Sequence, residues 1–401
     1  MFQKFISVML GGLGSQGILL ISYFFIIHYY DSEQFGEFSI FLSGSLILSS
    51  FFFFKYDLKS HSLSTIVAVK RVLSRSLLLS MLLLVGMFLI IFILTLFCTS
   101  LTDYAFLAYL ILLMGFLMSV QNVLIAVHLR ENKLLSLGVL RIIISLLVVS
   151  FQLLLFRGFE LGLIYGYIAA NLCFLFVFIK IMPIEIRLIK SLKYVLGNLT
   201  SLKFPIVATF INSLSLQLMP FLIGIFKSVS VVGLFSIGQK ITSAPVTLLC
   251  TPLSQVFITE SSKLIRRNES IKNIFFKVCA LSCFFFSVPL IVLSFYIKDI
   301  SELLFPENWQ GATIYMPYLF YVAAIQAMVN PIASYPIVVN KEYLMLHFDL
   351  TRLFIVFSFT TLSLIYSPDY WVLVFTIASI ISYSIYILYY GYDLLKREVN
   401  A

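Results

Sequence analysis

Charge is what this 401-residue chain has least of: Asp, Glu, Lys and Arg together make up 11%. Soluble domains carry roughly 25%. So little charge cannot cover a water-soluble protein of this length, and that class is excluded. Histidine is also scarce. His28, His61, His128 and His347 are scattered, and no His-Glu-x-x-His zinc pair occurs. Cys98, Cys173, Cys250, Cys279 and Cys283 all fall in apolar stretches. Cys279 and Cys283 share a helical face, yet two thiols without a nearby His or carboxylate make a poor metal site. Apolar packing is the simpler role for them. A Gly-rich phosphate loop ending in Lys-Ser or Lys-Thr is missing, so ATP hydrolysis through that motif is excluded. No acid and base side chains are paired for proton transfer, and the chain reads as a non-enzyme.

What is present is apolar. The chain is 61% hydrophobic and 16% aromatic, with mean hydropathy +1.05. A bilayer core about 30 Å thick needs about 20 apolar residues per helix. Backbone groups in lipid must bond internally, so the spans should be helices. The strict alternation of a membrane barrel is absent. The expected fold class is therefore all-α integral membrane, with about twelve transmembrane helices. The spans read as 8–29, 36–54, 76–98, 104–127, 137–156, 159–182, 204–226, 230–257, 274–297, 311–334, 346–367 and 370–391.

The chain also repeats itself. Gly36-Glu37-Phe38-Ser39-Ile40 returns as Gly233-Leu234-Phe235-Ser236-Ile237, almost half the chain later and at the same point of the hydropathy cycle. Two like halves with an even number of spans each must run parallel, related by an axis along the membrane normal. The organisation expected is a six-helix bundle at 1–182, a cytoplasmic amphipathic linker at 183–203 and a second six-helix bundle at 204–401.

Loop charge orients the spans, because Lys and Arg are retained on the cytoplasmic side. Of 27 such residues, Arg157, Lys227 and Lys298 alone fall in the opposite set of loops, and Lys240 lies inside a span. Both termini are expected in the cytoplasm. The net charge of +9 then reflects topology and contact with anionic membrane lipids, and calls for no nucleic acid. Segments 56–75 and 183–203 mix apolar residues with Lys and Arg at helical spacing. They read either as interfacial amphipathic helices or as plain basic connectors.

Polar groups inside spans are the candidate site. Lys240 sits about 15 Å from the outward end of its span. A central Lys costs about 2.5 to 3.5 kcal/mol, so it should face a wet cavity or an anion. The alternative is a Lys that snorkels or bonds to Gln239 and nearby carbonyls. Asp349 and Arg352 share a face of span 11 and can neutralise each other. Arg141 in span 5 either meets an anionic headgroup or snorkels. Gln16, Gln121, Asn122, Asn171, Asn212, Gln217, Gln239, Gln326 and Asn330 form a softer layer. Each either lines a cavity or bonds between helices. Pro245, Pro252, Pro317 and Pro331 are expected to kink spans 8 and 10.

Six short stretches, in order, resemble the Wzx-type O-antigen and polysaccharide flippases of the multidrug/oligosaccharidyl-lipid/polysaccharide exporter superfamily. They are Phe35-Gly36-Glu37-Phe38-Ser39, Lys55-Tyr56-Asp57-Leu58, Phe204-Pro205 with Asn212 to Pro220, Gly233-Leu234-Phe235-Ser236 with Lys240, Pro252 to Phe257, and Leu304 to Ala312. Pro306 departs from the family's usual Gly. The resemblance implies two six-helix bundles in a V, like the related multidrug exporters. It implies a flippase in the bacterial inner membrane that moves undecaprenyl-pyrophosphate-linked oligosaccharide for O-antigen or other surface polysaccharide, with the polysaccharide polymerase machinery as a partner. Lys240 is the candidate counter-charge. Arg141, Arg352, Asp349, Asn212, Gln217, Gln239 and Asn330 are further substrate-binding candidates. No cofactor or metal is expected, and the coupling ion stays open between a proton and sodium. The alternatives are a cation-coupled multidrug exporter of the same superfamily and a membrane-embedded polysaccharide polymerase. The first should carry buried acids, and the second a large outward loop.

Overall fold

The computed structural model describes residues 2–55, 66–98, 102–131, 133–156, 158–181, 197, 206–267, 269–339, 341 and 343–399. Among them there is no strand. The helices, in chain order, are α1 Phe2–Tyr29, α2 Ser32–Ser49, α3 Ile66–Phe97, α4 Thr102–Arg130, α5 Leu134–Leu154 and α6 Gly162–Ile181. Then come α7, the broken pair Ile206–Gln217 and Met219–Phe226, and α8 Val229–Arg266. The last four are α9 Lys272–Leu304, α10 Met316–Val329, α11 Tyr343–Tyr366 and α12 Trp371–Val399. Each expected span is met by a helix. Among the described residues nine helices are long and apolar enough to cross a membrane, ten with the α7 pair, which bends by 46°. α2 is diluted by Ser32, Glu33, Gln34 and Glu37, and α6 is short in its described apolar part.

The chain folds as two compact units. The first comprises Met1–Ser22 and Glu37–Pro220; the second comprises Tyr23–Gly36 and Phe221–Ala401.

In the first unit α4 is central and α3 peripheral: 67% of the α4 span is buried against 11% of the α3 span. Val85, Leu89, Ile90, Phe92, Ile93 and Phe97 of α3 are exposed. So large an apolar face is stable only against lipid. The start of α3 is different. Val69, Val72 and Leu73 are buried, and Lys70 pairs with Glu131 at 2.7 Å, where Lys133 joins at 2.6 Å. Residues 66–75 thus continue α3, neither the separate interfacial helix nor the plain connector that were the two readings of 56–75, and Val69, Val72 and Leu73 pack into the unit. Residues 56–65 and nearly all of the 183–203 linker lie outside the described residues.

In the second unit α8 is the longest helix. Ser228 caps its start, its Oγ accepting from the Val231 N–H at 3.3 Å. Pro245 and Pro252 lie within it. α9 carries a π-turn at Cys283–Ser287, and Ser287 Oγ donates to the Ala324 carbonyl of α10 at 2.7 Å. The span around α10 is segmented, not kinked. Pro317 falls in the first turn of α10, where no N–H is needed, and Pro331 falls in the 3₁₀ turn Asn330–Ile332 that ends it.

The repeat has a structural meaning in this unit. A Cβ on Gly36 would lie 1.9 Å from the Val229 carbonyl oxygen, and one on Gly233 1.8 Å from the Ser32 carbonyl oxygen. Ser32 Oγ and Ser230 Oγ are 2.5 Å apart. Gly36 meets residue 229 as its repeat equivalent, Gly233, meets residue 32. That reciprocity is a local two-fold crossing. Backbones approach so closely only where no side chain intervenes.

Candidate functional site

Lys240 lies on α8 about eleven residues after Val229, roughly 17 Å along the helix. Its Nζ sits 5.4 Å from the Tyr23 ring centroid and 6.0 Å from that of Phe35. The two rings meet edge to face at 6.1 Å. Phe35 is then backed by Trp309 at 5.6 Å, and the indole Nε1 donates to the Tyr30 carbonyl at 3.2 Å. Trp309 is fully buried. Three distant stretches therefore converge: Phe35-Gly36 of the first repeat, Gly233 to Lys240 of the second, and the Trp309 segment. Aromatic faces attract a cation. The arrangement sets the Lys240 ammonium in an aromatic frame within the first third of α8.

The second polar cluster lies on α11 and α12. Arg352 Nη2 donates to Asp349 Oδ1 at 3.1 Å, and Nη1 donates to the Tyr383 hydroxyl at 3.3 Å. The guanidinium carbon lies 5.2 Å from the Phe348 ring centroid. Asp349 and Arg352 are 4% and 6% exposed, so the expected pair forms inside the unit. Gln326 Nε2 donates to the same Tyr383 hydroxyl at 3.3 Å. A buried pair with its hydrogen bonds met is a structural element first, since removing one member strands the other.

The other candidates have separate surroundings. In the first unit Arg141 is half-buried, its guanidinium against Gly12 of α1, and Ser145 Oγ donates to its carbonyl at 3.0 Å. Gln217 Oε1 accepts from Ser43 Oγ at 3.3 Å, and Asn212 is half-buried on α7. Gln121 donates to Asn171, whose Nδ2 donates to the Tyr167 carbonyl at 2.7 Å. The Gln217–Ser43 and Gln121–Asn171 bonds join helices, and the other two stay within α5 and α6. In the second unit Gln239 is half-buried beside Lys240, and Asn330 is exposed on a cavity along α8. Among the described residues no group of three or more His, Cys, Asp or Glu could hold a metal ion. Tyr23 and Trp309 were not flagged by sequence. The tryptophan inside Leu304 to Ala312 was the available signal for the latter.

The fold is shared with solved membrane transporters. The chain is similar to a lipid II flippase, MurJ, in its inward closed conformation, with TM-score 0.68 at 12% identity over 97% of this chain and 88% of that one. It is similar to a MOP superfamily transporter from Pyrococcus furiosus, with TM-score 0.56 at 10% identity over 98% and 95%. The Vibrio cholerae MATE transporter VcmN in its bent form gives 0.55 at 15% over 99% and 97%. No curated protein matches the chain. The family model described as "Polysaccharide biosynthesis protein" matches residues 54–314, well over half of the chain. The chain belongs to that polysaccharide biosynthesis family, and it shares its fold with the flippase and exporters just described.

Proposed function

We propose that the protein is a flippase that moves undecaprenyl-pyrophosphate-linked oligosaccharide repeat units from the cytoplasmic to the periplasmic leaflet of the bacterial inner membrane, by alternating access. The family match supports polysaccharide synthesis as the setting. The observation that carries the chemistry is Lys240, a basic side chain held in an aromatic frame about 17 Å into α8. A pyrophosphate needs such a charge, and the polyprenyl tail needs only lipid. The basic bias of the loops places both termini in the cytoplasm. O-antigen or another surface glycan is the product served, and the polymerase machinery receives the flipped unit. A proton or a sodium ion drives the cycle.

The test is made in cells deleted for the gene. Undecaprenyl-pyrophosphate-linked repeat units should build up while surface polysaccharide disappears, and the intact gene should reverse both. Normal surface glycan without build-up would reject this reading in favour of cation-coupled drug export, to be followed by a screen of toxic cations.

A further inference from the structure

A cavity of about 230 Å³ lies along α8 in the second unit, next to Pro252. Thr247, Thr251, Ser254, Gln255 and Asn330 give it its polar lining, and Cys250 lies in its wall. We propose that this cavity is a subsite for one uncharged sugar ring of the transported lipid. The proposal rests on the flippase reading above and adds where the glycan is held.

Hydrogen-bonding capacity carries the argument. Thr247 Oγ1 donates to the Ser243 carbonyl at 2.9 Å, and Thr251 Oγ1 to the Thr247 carbonyl at 2.6 Å. With its proton spent on the helix, each hydroxyl keeps oxygen lone pairs that accept. Both threonines are exposed. Gln255 and Asn330 each offer a carbonyl and an NH₂, and among the described residues neither side chain has a hydrogen-bond partner. Such groups must be served by water or by a ligand. A sugar hydroxyl both donates and accepts, so it suits a lining of acceptors and amides. None of the lining residues is charged. That favours an uncharged occupant over a phosphate or a cationic drug. Cys250 and Val246, both buried, give an apolar patch for the C–H face of a ring. The volume falls below the roughly 300 to 1,000 Å³ that holds a whole drug-sized ligand, so one ring fits and an oligosaccharide does not.

The placement along the helix agrees. Lys240, Thr247, Thr251 and Ser254 fall within about 60° of one another on an ideal helical wheel. The cavity lies about two to four turns beyond Lys240. A pyrophosphate at Lys240 and a sugar in the cavity are two ends of one extended headgroup laid along one face.

The experiment uses the full protein in nanodiscs and two probes: undecaprenyl pyrophosphate, and the glycosylated undecaprenyl-pyrophosphate lipid extracted from deletion cells. The unaltered protein should bind the glycosylated lipid about tenfold tighter, as expected for a few neutral hydrogen bonds. Combining Thr247→Val with Thr251→Val should erase most of that preference while affinity for undecaprenyl pyrophosphate stays; Gln255→Leu should lower the preference by itself. Retained affinity for undecaprenyl pyrophosphate shows that the variants are folded. A preference that survives both variants overturns the sugar subsite and leaves the flippase reading intact. No glycosylated lipid in the deletion cells, or no affinity of the unaltered protein for either probe, overturns the flippase reading and the subsite with it.

Discussion

Two polar regions of the second unit differ in how their side chains are answered. Around α11 and α12, Arg352 holds Asp349 and Tyr383, while Lys341 and Tyr335, which precede α11, meet the two Asp393 oxygens, the tyrosine donating at 2.8 Å. Opposite charges meet there and are neutralised. Along α8, Lys240 rests on two aromatic faces, the threonine hydroxyls turn their protons into their own helix, and Gln255 and Asn330 open on a cavity. The first region has few vacant hydrogen-bonding positions and braces the unit. The second keeps acceptors and amides facing a cavity, which is where the proposed sugar ring would sit. Polar residues at similar depth in the sequence pattern thus separate into a brace and a proposed binding face.

The comparison can be broken most severely at the anchor of α8. Gly233→Val would drive a side chain into the Ser32 carbonyl, already 1.8 Å from where a Cβ would sit. Loss of monodisperse protein on size exclusion is expected, and Gly36→Val should behave alike because the crossing is reciprocal. The brace is tested next. Arg352→Ala strands a buried Asp349 carboxylate and should cost about 3–5 kcal/mol in stability. Replacing both, Arg352→Met with Asp349→Leu, should restore most of the thermal stability. If the single variant were as stable as the double, the pair would not be a brace.

The binding face should respond in transport instead. Lys240→Ala should lower transport about ten- to a hundredfold, the scale of hydrogen bonds to a charged group, while thermal stability changes little. Lys240→Arg keeps the charge and should be tolerated. Equal, full activity of both variants would remove Lys240 from the mechanism.

The smallest effect is expected in the first unit, outside the spans. The Lys133 ammonium, hydrogen-bonded to the Glu131 carboxyl, and Lys70 beside it hold that carboxyl below the usual glutamate range. A carboxyl whose pKa is lowered by folding contributes stability above its unfolded pKa, about 4.3, and loses it as pH falls through the folded value. Glu131→Gln should therefore cost up to about 1 kcal/mol at neutral pH. The difference from the unaltered protein should close on acidification. A difference that persisted at acid pH would assign the effect to packing.

Much of the fold was legible because membrane helices announce themselves by length and apolarity. The repeat was legible as well, through Gly36 and Gly233. That these two glycines cross each other was not, since a sequence match carries no contact. The Asp349–Arg352 pair could be read from its three-residue spacing, whereas Tyr383, one helix further on, could not. Lys240 stood out as a charge within a span, but Tyr23 lies some two hundred residues earlier and gives no local signal, and Phe35 showed only as the first residue of a family-like stretch. The cavity was half visible. Asn330 stood among the amides, and Gln255 lay unremarked within a family-like stretch. Thr247 and Thr251 were missed because a threonine that bonds its own helix looks like filler. Their spacing along one face of α8 was the available signal. Pro317 misled because proline at a helix start and proline in its interior look alike until the boundary is known.

The most direct measurement is made on proteoliposomes carrying the purified protein and the glycosylated undecaprenyl-pyrophosphate lipid on one leaflet. A membrane-impermeant lectin on the opposite side reads the arrival of the glycan. The expected result is that the glycan becomes accessible with the unaltered protein, and far more slowly with Lys240→Ala. Accessibility no faster than in protein-free vesicles, in a preparation that moves a lipophilic cation instead, would contradict the flippase account.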